Sequence, residues 1–231
     1  MSIYGTIAAL TVAAALGGTA VSSGPDDLWN RAEAAYAEGD CTTASPLYRS
    51  LLKEEPRPAR RIAATHALSL CIATPDDPWE ARELMAELLP VVLQYFGPQS
   101  SGLARHHAIW AETEVRAEAL DVAWRRSEAA IKAARSAGAV DPFDHAAELY
   151  RLAAIQLARG KGDLFIAFFE TERARLTDAD WATDEDGELF DEVTEGVPPP
   201  GDADALANWV RRGLEEFDPR PLYLSLVDLP A

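Results

Sequence analysis

Residues 28–56, LWNRAEAAYAEGDCTTASPLYRSLLKEEP, constrain this chain more than any other stretch. Leu28, Ala32 and the pair Ala35/Tyr36 recur at helical spacing and mark one apolar face. Gly39-Asp40 then breaks the pattern, joining a residue tolerant of positive φ to a short acceptor side chain. Ala44, Leu47/Tyr48 and Leu51/Leu52 draw a second stripe, which Pro56 stops. Two helices joined by so short a turn cannot bury both faces on each other. The unit therefore calls for stacked neighbours.

The small residue Ala32, the turn Gly39-Asp40, and Ala44, Tyr48, Leu51 and Pro56 fall at the spacing of a tetratricopeptide repeat. The unit resembles that family. The rest of the chain carries looser copies. Residues 59–73 (Ile62, Ala63, His66, Ala67, Leu70) and 79–96 flank a two-proline turn, with Pro90 expected to kink or break the second helix. A third pair spans 101–138, with its turn near 117–120, and a fourth runs from 142 to about 176. There Gly160-Lys161-Gly162-Asp163 repeats the glycine–aspartate signal of the first turn. Ala44, Ala81, Ala123 and Ala167 open the second helices at widening intervals, which makes the units resemble the longer, kinesin-light-chain variety of the repeat. A generic helical bundle is the alternative.

The expectation is thus an all-α chain: a right-handed α-solenoid of about four helical hairpins over residues 26–176, an acidic and proline-rich linker over 177–201, then a capping helix and an extended tail over 202–231. The capping helix is read from Leu206, Trp209/Val210, Leu214 and Phe217 on one face. The extended tail is read from the alternation of Leu222, Leu224 and Leu226 with Tyr223 and Ser225. That tail is expected either to lie on the protein's own surface or to pair with a partner.

Residues 7–16 (IAALTVAAAL) form an uncharged apolar run, followed by small residues. This pattern predicts a signal peptide over residues 1–22 and a periplasmic or secreted protein. The segment MSIYGT has no Lys or Arg, so a retained membrane anchor is the alternative, followed by a cytosolic amino-terminal helix. Two cysteines, Cys41 and Cys71, fit export. A bridge between them would close a loop of about 30 residues and contribute on the order of 3–4 kcal/mol in the chain-entropy picture. The alternative is two buried thiols.

Lys and Arg total 21 against 38 Asp and Glu, a net of −17 among 231 residues. Such a field repels phosphate backbones, so nucleic acid is not expected as a partner. None of the four histidines (His66, His106, His107, His145) stands in a nucleophile, metalloprotease or Cys-His context, and they read as surface or half-buried. Asp184, Asp186 and Gly187 match part of a calcium loop, but Ala182 and Val193 occupy its two anchoring carboxylate positions. No catalytic residue, cofactor or metal is expected.

What the resemblance implies is a binding surface. In tetratricopeptide repeats the first helix of each pair lines the concave face. Carried onto this sequence, that selects Trp29, Glu33 and Tyr36, then Arg61 and Thr65, then Arg105, Glu112 and Arg116, and finally Gln156 and Arg159. The arginines would make a locally basic groove suited to an acidic or carboxylate-ended peptide; pairing with Glu33 and Glu112 would neutralise it. The expected function is an exported non-catalytic scaffold for protein–protein interaction in bacterial envelope assembly. The alternatives are a membrane-tethered accessory subunit of a larger complex and an enzyme without a recognisable motif.

Overall fold

The computed structural model describes residues 24–55, 57–137, 142–177, 196–217 and 221–227, with the side chains of 142–144, 173–177 and 221 set aside. These residues form ten helices and, among them, no strand. They are α1 (Pro25–Ala37), α2 (Cys41–Glu54), α3 (Pro58–Ile72), α4 (Trp79–Phe96), α5 (Ser101–Arg116), α6 (Leu120–Ala137), α7 (Pro142–Ala158), α8 (Gly162–Thr177), α9 (Ala203–Phe217) and α10 (Pro221–Val227). Each of α1 to α7 packs on the next, α3 also packs on α5, and α7 gathers α9 and α10 beside it. The all-α class agrees with the sequence reading. The signal segment 1–22, Pro56, most of the predicted linker (178–195, with the partial calcium motif at 184–187) and the tail end 228–231 lie outside the described residues.

Three of the hairpins close in the same way. After α1, Gly39 takes φ +75°, its N–H donates to Tyr36 O, and Asp40 N–H donates to Ala35 O. After α5, Glu118 takes φ +53°, with Glu118 N–H to Val115 O and Ala119 N–H to Glu114 O. After α7, Gly160 takes φ +65°, with Gly160 N–H to Leu157 O and Lys161 N–H to Gln156 O. One left-handed residue thus lets its own amide and the next one satisfy carbonyls that the helix end would leave orphaned. In the first hairpin Asp40 also starts α2, its side chain accepting from Thr43 N at 3.0 Å. The predicted copy at Asp163 differs. Asp163 lies inside α8 and accepts from Gly201 N at 2.9 Å, tying the approach to α9 onto the fourth hairpin. The α3–α4 connection, with two prolines, has none of this geometry.

Small residues let the amino-terminal helices approach closely. Ala32, Ala44 and Ala64 are fully buried around Tyr48, Leu51 and Leu68. Cys41, first residue of α2, is joined to Cys71 near the end of α3 by a disulfide, with Cα atoms 5.1 Å apart. The carboxy-terminal core is aromatic instead. Trp209 of α9 lies 4.6 Å from Tyr150, 6.1 Å from Phe165 and 5.8 Å from Phe169, centroid to centroid. Gly213 lets α9 sit directly on α7, since a Cβ there would stand 2.0 Å from the Tyr150 ring.

Two expectations change. The tail is not extended over 221–227: it forms α10, with Pro221 in the first turn and Tyr223 and Val227 buried one turn apart. The alternation of leucines at every second position concealed an i,i+4 pair that faces α7. Because Tyr223 and Val227 belong to the largest core, removing the tail would unfold packing rather than uncover a free groove. Pro90 does not break α4, which continues from Trp79 to Phe96. Ala86 and Pro90 are both exposed, so the carbonyl that loses its amide partner faces water.

Candidate functional site

Glu33, chosen from the sequence as a surface residue, accepts a hydrogen bond from the Tyr48 hydroxyl at 2.6 Å. That contact and burial push the Tyr48 phenol well above its usual range, burial being the larger cause. Tyr36 meets Tyr48 edge-on at 6.3 Å and is half-buried, and the half-buried Trp29 lies under the Arg60 guanidinium at 5.2 Å. Thr65, Glu112 and Gln156 are buried. Thr65 donates to Arg61 O at 2.8 Å, Glu112 holds Arg116 at 2.9 Å and Gln156 accepts from Arg159. Arg159 also forks onto Asp121 and lies 5.1 Å from the Trp124 ring centroid, which leaves it engaged. Part of the selected set therefore works inside the fold.

Arg61 and Arg105 stand apart. Both are exposed, and among the described residues neither side chain has an acidic partner. They lie on α3 and α5, which pack together. Elsewhere the pattern is pairing: Arg49–Glu80, Arg57–Glu55, Arg82–Glu114 and Arg135–Glu172 bring arginines onto acids, the last three of which are fully or almost fully buried. Glu55 shows the effect most clearly, since its bonds to Arg57 hold its carboxyl down to about 2. The α7 positions that the family pattern would place on a binding face belong to a helix packed by α9 and α10.

Beneath Arg105 runs a polar seam that the sequence reading did not find. His66 Nε2 and His106 Nδ1 are 3.0 Å apart, with stacked rings 5.3 Å between centroids. Both residues are buried. His106 also meets Trp110 edge-on at 5.6 Å, and the Trp110 indole donates to Glu114 at 3.2 Å. Arg126 lies 3.4 Å from the Trp110 ring centroid. Burial pulls His66 down to about 4, helped by the charge of Arg105, and His106 down to about 3, helped by His66, His107 and Arg126. His107 falls to about 4 through burial and Arg126, so the three imidazoles are neutral near pH 7. Against the surface or half-buried reading of the four histidines, His66, His106 and His145 are buried and only His107 is half-buried, because spacing alone does not reveal which stretches of α3, α5 and α7 their neighbours enclose. The signal available in hindsight is that His66 and His106 each sit beside the apolar stripe of a first helix.

Among the described residues, no serine or cysteine side chain is hydrogen-bonded to either ring of the pair: Cys41 and Cys71 are bonded to each other and Ser69 donates to His66 O at 2.9 Å. Among the described residues, no three His, Cys, Asp or Glu side chains come together as a metal set. An open depression of about 310 Å³ lies between two hairpin turns, lined by Glu118, Ala119, Leu120, Asp121, Arg159 and Lys161. Its walls mix both signs, and Arg159 is already engaged with Asp121. Among the described residues, no helix is long and apolar enough to cross a membrane. No family model, curated protein or solved structure matches this chain.

Proposed function

We propose that this chain is an exported, non-catalytic scaffold for protein–protein interaction in bacterial envelope assembly, built as a right-handed α-solenoid of tetratricopeptide type. Two features support the architecture. The same six-residue closing turn recurs after α1, α5 and α7. The cross-links Arg49–Glu80, His66–His106, Arg135–Glu172 and Arg159–Asp121 each reach 31 to 40 residues along the chain, the separation expected when a repeat touches its neighbour. Export rests on the apolar start and on the Cys41–Cys71 bridge, which persists in oxidising compartments.

The observation that carries an interaction role is that Arg61 and Arg105 are exposed and without an acidic partner among the described residues, in a chain of net charge −17. Cations left without acids on packed neighbouring helices suit an acidic segment of a partner. The test is an affinity capture from an envelope fraction with the wild type and with Arg61→Glu/Arg105→Glu. The reading expects a partner retained by the wild type, released by salt and lost with the double variant. Identical captures from both proteins would remove the arginines from the account.

A further inference from the structure

The corner between α4 and α5 carries an unusual concentration of exposed apolar surface. Leu93, Tyr95 and Phe96 are 37%, 50% and 44% exposed in the last turn of α4. The two aromatic rings meet at 4.7 Å with an interplanar angle of 85°. Phe96 is seated on Gly102 of α5, where a Cβ would stand 2.4 Å from the ring. Ser100 braces the corner, donating to Gly97 O at 2.8 Å and accepting from Leu103 N at 3.2 Å. The rings are thus held in place before anything binds, which lowers the ordering cost of recognition. One turn beyond Gly102 on the same face of α5 stands Arg105.

We propose that Tyr95, Phe96 and Arg105 form an anchoring site for an amphipathic peptide segment whose apolar side chain is followed by acidic residues. The inference rests on the scaffold reading above and names the chemistry of the partner. The aromatic pair receives the apolar anchor, because rigid, partly exposed aromatics gain most from desolvation at the centre of an interface. Arg105 receives the acid, having no acidic partner among the described residues. Glu83 and Glu87 are exposed earlier on α4 and repel acids on that side. They set the polarity: apolar residue on α4, acidic residues toward α5. A strongly acidic protein disfavours an anionic bilayer as the occupant.

A randomised dodecapeptide display library, selected against the folded protein, tests this. The expected winners carry an aromatic or large aliphatic residue with Asp or Glu within the next turn or so. Their binding falls about tenfold or more in Phe96→Ala and in Arg105→Glu. Gly102→Ala, which pushes the ring without deleting it, should weaken the same peptides. Circular dichroism confirms that each variant is folded. Winners rich in Lys and Arg, or binding unchanged by Phe96→Ala and Arg105→Glu, would overturn the site. If the winners depend instead on Trp29 and Tyr36, the scaffold stands and this corner does not. If no peptide is enriched at all, both fall. A protein dimer abolished by Phe96→Ala, seen by sedimentation, would reassign the corner to a second copy and refute the peptide site.

Discussion

The helices up to α4 and those from α7 onward bury their apolar faces by different means. In the first region the fully buried residues are largely small, with Ala32, Ala44, Ala64 and Ala81 letting backbones approach around Tyr48, Leu51 and Met85. Little apolar area is gained per residue, and cross-links supplement it: the Cys41–Cys71 bridge, Arg49–Glu80, and Arg57 and Arg60 on Asp26. In the second region Tyr150, Phe165, Phe169, Trp209 and Tyr223 fill one continuous core. Large side chains remove more surface from water, so this part needs no covalent staple. The lesson is that hairpins of similar outline respond to different insults. One end should answer to reductant, the other to loss of a ring, and the histidine seam between them to acid.

Trp209→Ala should have the largest effect. It empties a site shared by Tyr150, Phe165 and Phe169, and is expected to cost about 3–5 kcal/mol, on the order of 10 °C in melting temperature. Calorimetry checks this, and an unchanged melting point would mean that α9 is not part of the core. Cys41→Ser should follow. Opening the loop between Cys41 and Cys71 is expected to cost about 3 kcal/mol, and reductant should destabilise the wild type but not the variant.

Acid probes the middle. His66 and His106 lie at about 4 and about 3 when folded, below the ordinary 6.5. The unfolded chain therefore binds more protons between those values, and stability falls as pH drops. The contribution of the neutral pair is whole above about pH 6.5 and is lost as the pH approaches 4 and then 3. Urea unfolding at a series of pH values should show this slope, and His106→Gln should make it shallower, with His66, His107 and the buried His145 supplying the rest. The smallest effect should come from Glu118→Gly. Glu118 performs at φ +53° the role that Gly39 and Gly160 perform elsewhere, so the substitution should raise stability by up to about 1 kcal/mol.

These expectations separate what could be read along the chain from what could not. Helix faces and turns are local, so the Gly39-Asp40 corner and helices α2, α4 and α9 were legible from periodicity and punctuation. The turn at Glu118 was placed but not explained, because its left-handed residue is not a glycine. α10 was misjudged because a seven-residue run satisfies two periods at once, and only packing against α7 decides between them. The candidate face was legible in part. Arg61 and Arg105 are exposed, whereas Thr65, Glu112 and Gln156 are buried, their depth set by neighbours distant in sequence. The histidine seam was hidden for the same reason: its partners are 40 residues apart.

Native-state hydrogen exchange with and without reductant tests most directly whether the chain is a stack of hairpins held differently at its two ends. The account predicts that reducing the Cys41–Cys71 bridge lowers protection of amides in α1 to α4 while α7 to α9 keep theirs, since stacked units couple chiefly to their neighbours. An equal loss of protection in every helix would describe a single cooperative core and contradict it.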